Sequence, residues 1–147
     1  MRVLLVEDTA ADARLIQESI RSSSWGQRTI LRHVASLADA VAALQQEKYD
    51  CILLDLGLPD SPGVQSVSML REASPDSAIV VMTGLDDEQT AISAIKLGAQ
   101  EYTVKGMPAG ELLVRLLRHA IERHGMLGEL NKLRAQEYLQ ATHDILT

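Results

Sequence analysis

Cys51-Ile52-Leu53-Leu54-Asp55-Leu56-Gly57-Leu58-Pro59 opens with four apolar residues, ends them on an acid and then passes into turn-formers. A run this short and this continuously apolar reads as a strand covered on both faces, because a strand with one wet face alternates. The same pattern occurs on either side of it. Residues 2–6 are apolar after Arg2 and lead into Glu7 and Asp8, and residues 78–82 lead into Thr83. Two weaker stretches complete the set: residues 29–34 alternate as an edge strand does, and residues 101–104 are β-rich and precede Lys105. Five strands are therefore predicted.

Helical patterns fill the gaps. Thr9-Ala10-Ala11-Asp12 and Ser36-Leu37-Ala38-Asp39 both match the capping pattern in which a hydroxyl residue is followed three positions later by an acid. Residues 64–73 follow the turn Pro59-Asp60-Ser61-Pro62-Gly63, and residues 88–97 carry an apolar stripe that stops at Gly98, a plausible left-handed end. A last helix begins near Gly110 and runs well past the length needed to cover a sheet, although Gly125 and Gly128 each weaken it by up to about 1 kcal/mol. Strand and helix alternating five times imply an α/β fold: a doubly wound parallel sheet, because parallel neighbours need right-handed crossovers. Residues 1–122 are expected to form that domain, and 123–147 a helical extension.

Composition narrows the function. At 147 residues with 46% hydrophobic content, the chain suits a single core. A net charge of -6 and the lack of a dense basic run disfavour direct nucleic-acid binding by this segment. One cysteine, Cys51, allows no internal disulfide and sits in an apolar run as a small hydrophobe. The N-terminal apolar run is too short for a signal sequence, and no stretch has the length of a membrane span. A cytoplasmic setting is expected.

In such sheets ligands bind beyond the carboxyl ends of the strands, where strand order reverses. The residues found there are Glu7, Asp8, Asp55, Thr83 and Lys105. With order 2-1-3-4-5, Glu7, Asp8 and Asp55 converge, and clustered carboxylates raise one another's pKa unless a cation offsets them. Lys105 supplies one positive charge. Oxygen-only ligands point to Mg2+ for the other, held by Glu7, Asp8, Asp55 and a backbone carbonyl. A carboxylate can also accept a phosphoryl group, with Lys105, the metal and the Thr83 hydroxyl neutralising its oxygens. Taken singly, each residue is an ordinary cap, loop acid or surface charge; their joint placement at successive strand ends argues for chemistry.

The strings Val6-Glu7-Asp8, Leu54-Asp55-Leu56-Gly57-Leu58-Pro59, Met82-Thr83-Gly84 and Val104-Lys105 resemble the receiver domains of bacterial two-component response regulators. The resemblance covers residues 1–122 and implies a flavodoxin-like receiver fold. It implies that Asp55 accepts phosphate from a sensor histidine kinase or phosphotransfer protein, and that Glu7, Asp8 and the Gly57 carbonyl hold Mg2+. Thr83 and Lys105 would contact the phosphoryl group, and Tyr102 falls at the aromatic switch position on the face of helix four, strand five and helix five. Two positions depart from the pattern. Gly106 follows the lysine where proline, preceded by a cis bond, is usual, and the first acid is Glu7 where Asp is commoner.

On this reading the chain is a signalling switch and not itself an enzyme. The alternative is an aspartyl-phosphate-forming phosphohydrolase of like architecture, but such enzymes carry a second acid two residues after the nucleophile, and position 57 is glycine. A purely structural interaction module is disfavoured because every chemical position is filled. Along the last helix, Leu113, Leu117, Ala120, His124 and Leu127 recur at alternating spacings of four and three, a seam suited to a homodimer. His33, His119, His124 and His143 have no metal-ligand spacing and read as surface or packing residues. Finally, His143-Asp144-Ile145-Leu146-Thr147 is similar to the opening of GGDEF-type diguanylate cyclase domains, which implies an output domain of that kind after the helix.

Overall fold

The computed structural model describes residues 1–61, 63–84, 87–106, 108 and 110–146; on the last helix, side chains are described through residue 130 and at 133, 134 and 136. Five strands, β1 (Arg2–Val6), β2 (Ile30–Val34), β3 (Cys51–Asp55), β4 (Ala78–Thr83) and β5 (Glu101–Val104), form one parallel sheet in the order β2-β1-β3-β4-β5. Between and after them come α1 (Ala10–Arg21), α2 (Leu37–Gln46), α3 (Gln65–Ala73), α4 (Glu88–Lys96) and α5 (Gly110–Leu146). The expected fold and strand order are borne out, with element ends moved by one residue at most in the strands.

Side-chain alternation distributes the three central strands between two cores. Leu4, Val6, Ile52, Leu54, Ile79 and Val81 face α2, α3 and α4. Val3, Leu5, Cys51, Leu53, Val80 and Met82 face α1 and α5. Every residue of β3 and β4 is buried, which is why those strands read as unbroken apolar runs, whereas the edge strands β2 and β5 are half-exposed.

The helix starts behave differently from one another. Ser36 Oγ accepts from Asp39 N at 3.1 Å and caps α2 as expected. Asp60, reaching over from the loop after β3, adds Oδ1 and Oδ2 as acceptors for Leu37 N and Ala38 N, at 3.0 and 3.2 Å. These amide donors hold the Asp60 carboxyl below its ordinary pKa. A depressed native pKa contributes stability above the unfolded value near 3.9 that fades as pH falls through the native one. Asp60→Ala is therefore expected to lower the urea midpoint at pH 7, and the gap from wild type to narrow as pH falls below the unfolded value near 3.9; an unchanged gap would discard this anchor of the loop. At α1 the capping expectation fails: Thr9 makes no side-chain cap bond.

Helix α5, at 37 residues, is about 55 Å long at 1.5 Å per residue. The dimer seam expected on it is corrected by the structure. Leu113, Leu117 and Ala120 are buried against the chain's own sheet, together with Val114. His124 is engaged as well, its Nε2–H donating to Pro75 O at 2.8 Å and its Nδ1 accepting from Gln100 Nε2 at 3.1 Å, a tautomer assigned from these partners. Arg71 completes the lock, donating to Ser77 O, to Gly98 O at 2.9 Å and to Gln100 Oε1 at 2.9 Å. Spacings of four and three mark an apolar stripe, and a helix that covers a sheet uses such a stripe on its own sheet before any partner can. Past His124, Met126, Leu127, Leu130 and Leu133 are exposed. Pro62 and Thr147 lie outside the described residues, so the turn at 59–63 and the string ending in Thr147 are not described in full.

Candidate functional site

The pairing of Val6 with Leu54 sets the ends of β1 and β3 side by side, and this is where strand order reverses. The two chains leave the sheet there and bring their first acids together. One carboxylate oxygen each from Glu7, Asp8 and Asp55 lie within 4.8 Å of one another. Glu7 is fully buried, Asp55 is 7% exposed and Asp8 is open to solvent.

Backbone contacts fix Glu7 and Asp55. Glu7 N donates to Val34 O at 3.0 Å, its carbonyl accepts from His33 Nε2 at 2.6 Å, and its Oε1 accepts from Thr9 N at 3.0 Å. Asp55 Oδ1 accepts from Gly57 N at 2.9 Å. A Cβ added at position 57 would stand 3.4 Å from that same oxygen, an ordinary contact, so the loop lies close against the carboxylate without requiring glycine.

Lys105 enters from the far side. Its backbone N–H donates to Thr83 O at 2.9 Å, which ties the exit of β5 to the end of β4. Its Nζ reaches Glu7 Oε2 at 2.9 Å, Asp12 Oδ2 at 2.9 Å and Asp55 Oδ2 at 3.2 Å. Burial opposes its charge, but the three carboxylates outweigh burial and raise its pKa. For Glu7 burial wins: desolvation pushes its carboxyl up against the lowering by Lys105 and Thr9, and Asp55 adds to the rise. Glu7 Oε2 has no hydrogen-bond donor at proper angle and meets Lys105 as an ion pair only.

The structure thus brings together Glu7, Asp8, Asp55 and Lys105. Thr83 stands at the neighbouring strand end, 5% exposed, and Tyr102 lies half-buried against the core on the α4 side, outside the pocket. The Lys105–Gly106 bond is trans, and the turn is made by Gly106 at φ +81°, a conformation that favours glycine. Sequence reading missed Asp12 as a site residue. Its one signal, a position four residues after Asp8 on the first turn of α1, was absorbed by the capping pattern.

An all-oxygen cluster fits a small hard divalent cation better than zinc, which prefers nitrogen and sulfur. Glu7, Asp8 and Asp55 are the residues that could hold it. The carboxylate of Asp55, flanked by an ammonium, can act as a nucleophile toward phosphorus.

Residues 3–117 match the response regulator receiver domain family. The cell cycle transcriptional regulator CtrA of Caulobacter vibrioides is 32% identical over 124 residues, covering 84% of this chain and 51% of CtrA. The transcriptional regulatory protein PcoR of Escherichia coli is 30% identical, covering 81% and 52%. The chain therefore spans about half the length of these curated relatives. Among solved structures, NtrX from Brucella abortus superposes with a TM-score of 0.74 at 25% identity, covering 90% of this chain and 29% of NtrX. A CheY-like receiver domain protein from Methanospirillum hungatei superposes at 0.73 and 18% identity, over 85% and 96%, a likeness of fold.

Proposed function

This chain belongs to the response regulator receiver family of two-component signalling, and from that premise we propose that it is a phosphorylation-dependent switch whose acceptor is Asp55. The observation that carries the proposal is the Lys105 ammonium 3.2 Å from Asp55 Oδ2, with Glu7 and Asp8 beside it. One oxygen of Asp55 attacks the phosphorus of the donor, the P–O or P–N bond to the leaving group breaks, and an acyl phosphate forms. Gly57 N–H orients the carboxylate, and Lys105 neutralises the arriving oxygens. Mg2+, when bound by Glu7, Asp8, Asp55 and the Gly57 carbonyl, supplies positive charge for the same oxygens. Thr83, at the end of β4, is placed to follow the phosphoryl group, and Tyr102 to follow Thr83, biasing a pre-existing equilibrium of the α4–β5–α5 face.

We propose a sensor histidine kinase or phosphotransfer protein as donor and a cytoplasmic setting, with the unpaired, buried Cys51 in support. Among the described residues no helix is long and apolar enough to cross a membrane. The cleft between α1 and the turn after β5, lined by Leu15, Ile16, Pro108 and Lys105, offers an apolar floor beside the charged site for that donor. No nucleic-acid contact is proposed for this segment. For the whole protein, the GGDEF output rests on residues 143–147 alone, while CtrA and PcoR are named as transcriptional regulators; the gene beyond Thr147 decides between them.

Incubating the chain with acetyl phosphate and Mg2+ and following intact mass tests the switch. A lasting single adduct is the expected result. Multiple turnover of simple phosphate esters without an adduct would favour the phosphohydrolase.

With Leu113, Leu117 and Ala120 committed to the sheet, a dimer needs another stripe. Met126, Leu130 and Leu133, exposed and stepping by four and three past the sheet, supply one, while upstream on the same stripe Leu116 packs against the chain's own core and Arg123 pairs with Glu101. The flanking positions place Glu129 of one helix across from Arg134 of a parallel second copy, a favourable pairing. Sedimentation is expected to show concentration-dependent dimers, and Leu130→Lys to weaken them at least about tenfold, since a buried charge replaces an apolar contact. Monomers at every concentration would remove the dimer.

A further inference from the structure

The first turn of α1 departs from the arrangement its sequence announces, and the departure leads into the charged pocket. In a capping box the third residue of the helix reaches back to the N–H of the cap residue. Here the Thr9 N–H is already taken by Glu7 Oε1 at 3.0 Å. Asp12 turns instead to Lys105, with Oδ2 2.9 Å from Nζ. That separation equals the one to Glu7 and is shorter than the 3.2 Å to Asp55. Of the three carboxylates on Lys105, Asp12 is the outermost: its side chain is 39% exposed, against 0% for Glu7 and 10% for Asp55.

We propose that Asp12 is a positioning residue for phosphoryl transfer, holding the Lys105 ammonium toward the rim of the pocket and adding a further negative charge beside Glu7, Asp8 and Asp55. This rests on Asp55 being the phosphoacceptor. The arrangement acts with opposite sign on the two species the pocket receives. A divalent cation gains from the added charge, and also from a Lys105 that is shared with Asp12 and so competes less for Glu7 and Asp55. A phosphoryl group is an anion: it meets added repulsion, and it must draw Lys105 away from Asp12 before the ammonium can neutralise it. An acid acting only on the dipole of α1 would stabilise the helix and separate neither species from the other.

The experiment uses the full chain with Asp12→Asn, which removes the charge at constant shape, and Asp12→Glu, which keeps it. Mg2+ is titrated alone by calorimetry, and beryllofluoride, a mimic of the phosphoryl group, is titrated at saturating Mg2+. Asp12→Asn is expected to raise the Mg2+ Kd about tenfold and to lower the beryllofluoride Kd about threefold, the scales of a double and a single charge at roughly 6 Å in a watery medium. Asp12→Glu is expected to stay near wild type in both. Shifts of the two constants in the same direction, or no shift in either while wild type binds both probes, would overturn the role of Asp12 alone. A wild-type chain that binds neither probe would overturn the Asp55 reading, and this one with it.

Discussion

Asp55→Asn is expected to abolish the acyl phosphate outright, with the intact mass unchanged after acetyl phosphate and Mg2+ under conditions that label wild type. The reason is chemical and local. An amide oxygen is a poor nucleophile toward phosphorus, and among the described residues the remaining carboxylates of the cluster are less well placed. Glu7 is wholly buried and tied through Oε1 to Thr9 N, and Asp8 is exposed and is not among the carboxylates paired with Lys105. Glu7 also carries an ammonium on one oxygen and an N–H on the other, at 2.9 and 3.0 Å, but its side chain is 0% exposed, whereas that of Asp55, held by Lys105 at 3.2 Å and Gly57 N at 2.9 Å, keeps 10% of its surface open to a donor. The variant keeps the volume of the side chain and relieves repulsion with Glu7, so circular dichroism should show an intact fold. An adduct of undiminished yield would place the acceptor elsewhere.

Arg71→Met is expected to lower the free energy of unfolding by about 1–3 kcal/mol, the range for leaving buried hydrogen-bond acceptors without a donor. The guanidinium serves the carbonyls of Ser77 and Gly98 and the side chain of Gln100, whose Oε1 also accepts from Ile79 N at 2.7 Å. Methionine fills most of the space and satisfies none of these acceptors. Against a total stability of roughly 5–15 kcal/mol the loss is large. It also removes a neighbour of His124, at the point where α5 leaves the sheet, so the urea midpoint should fall and protease cutting near Gly125 should rise. A shift below about 1 kcal/mol would show that water replaces the guanidinium without cost.

Where the structure agrees with the sequence reading, the signal was local. β3 and β4 are covered on both faces, so their runs carry no polar residue until Asp55 and Thr83 end them. Ser36 caps α2 with the amide three residues on, a contact written within four positions. Gly98 ends α4 with φ +119°, a conformation that side chains resist. The acids at strand ends follow from the same logic, since a parallel sheet with crossovers carries its exits to one edge and its chemistry with them.

Where they part, two elements far apart in the chain compete for one group. Thr9-x-x-Asp12 has the letters of a capping box, yet Glu7 takes the Thr9 N–H and Lys105, 93 positions away by number, takes the Asp12 carboxylate. Leu113, Leu117 and Ala120 have the spacing of an intermolecular seam, yet the sheet claims them first. Sequence by itself determined the alternation of strands and helices and the set of acids and lysine that follow the strands, because periodicity and turn chemistry act over a few residues, while the strand order came with the resemblance to receiver domains. Only the tertiary structure decided which stripe of α5 is left for a partner, where His124 is locked, and that Asp12 stands on Lys105. Those depend on which distant groups arrive at contact distance, and an ammonium among carboxylates chooses by distance in space, which no spacing along the chain records.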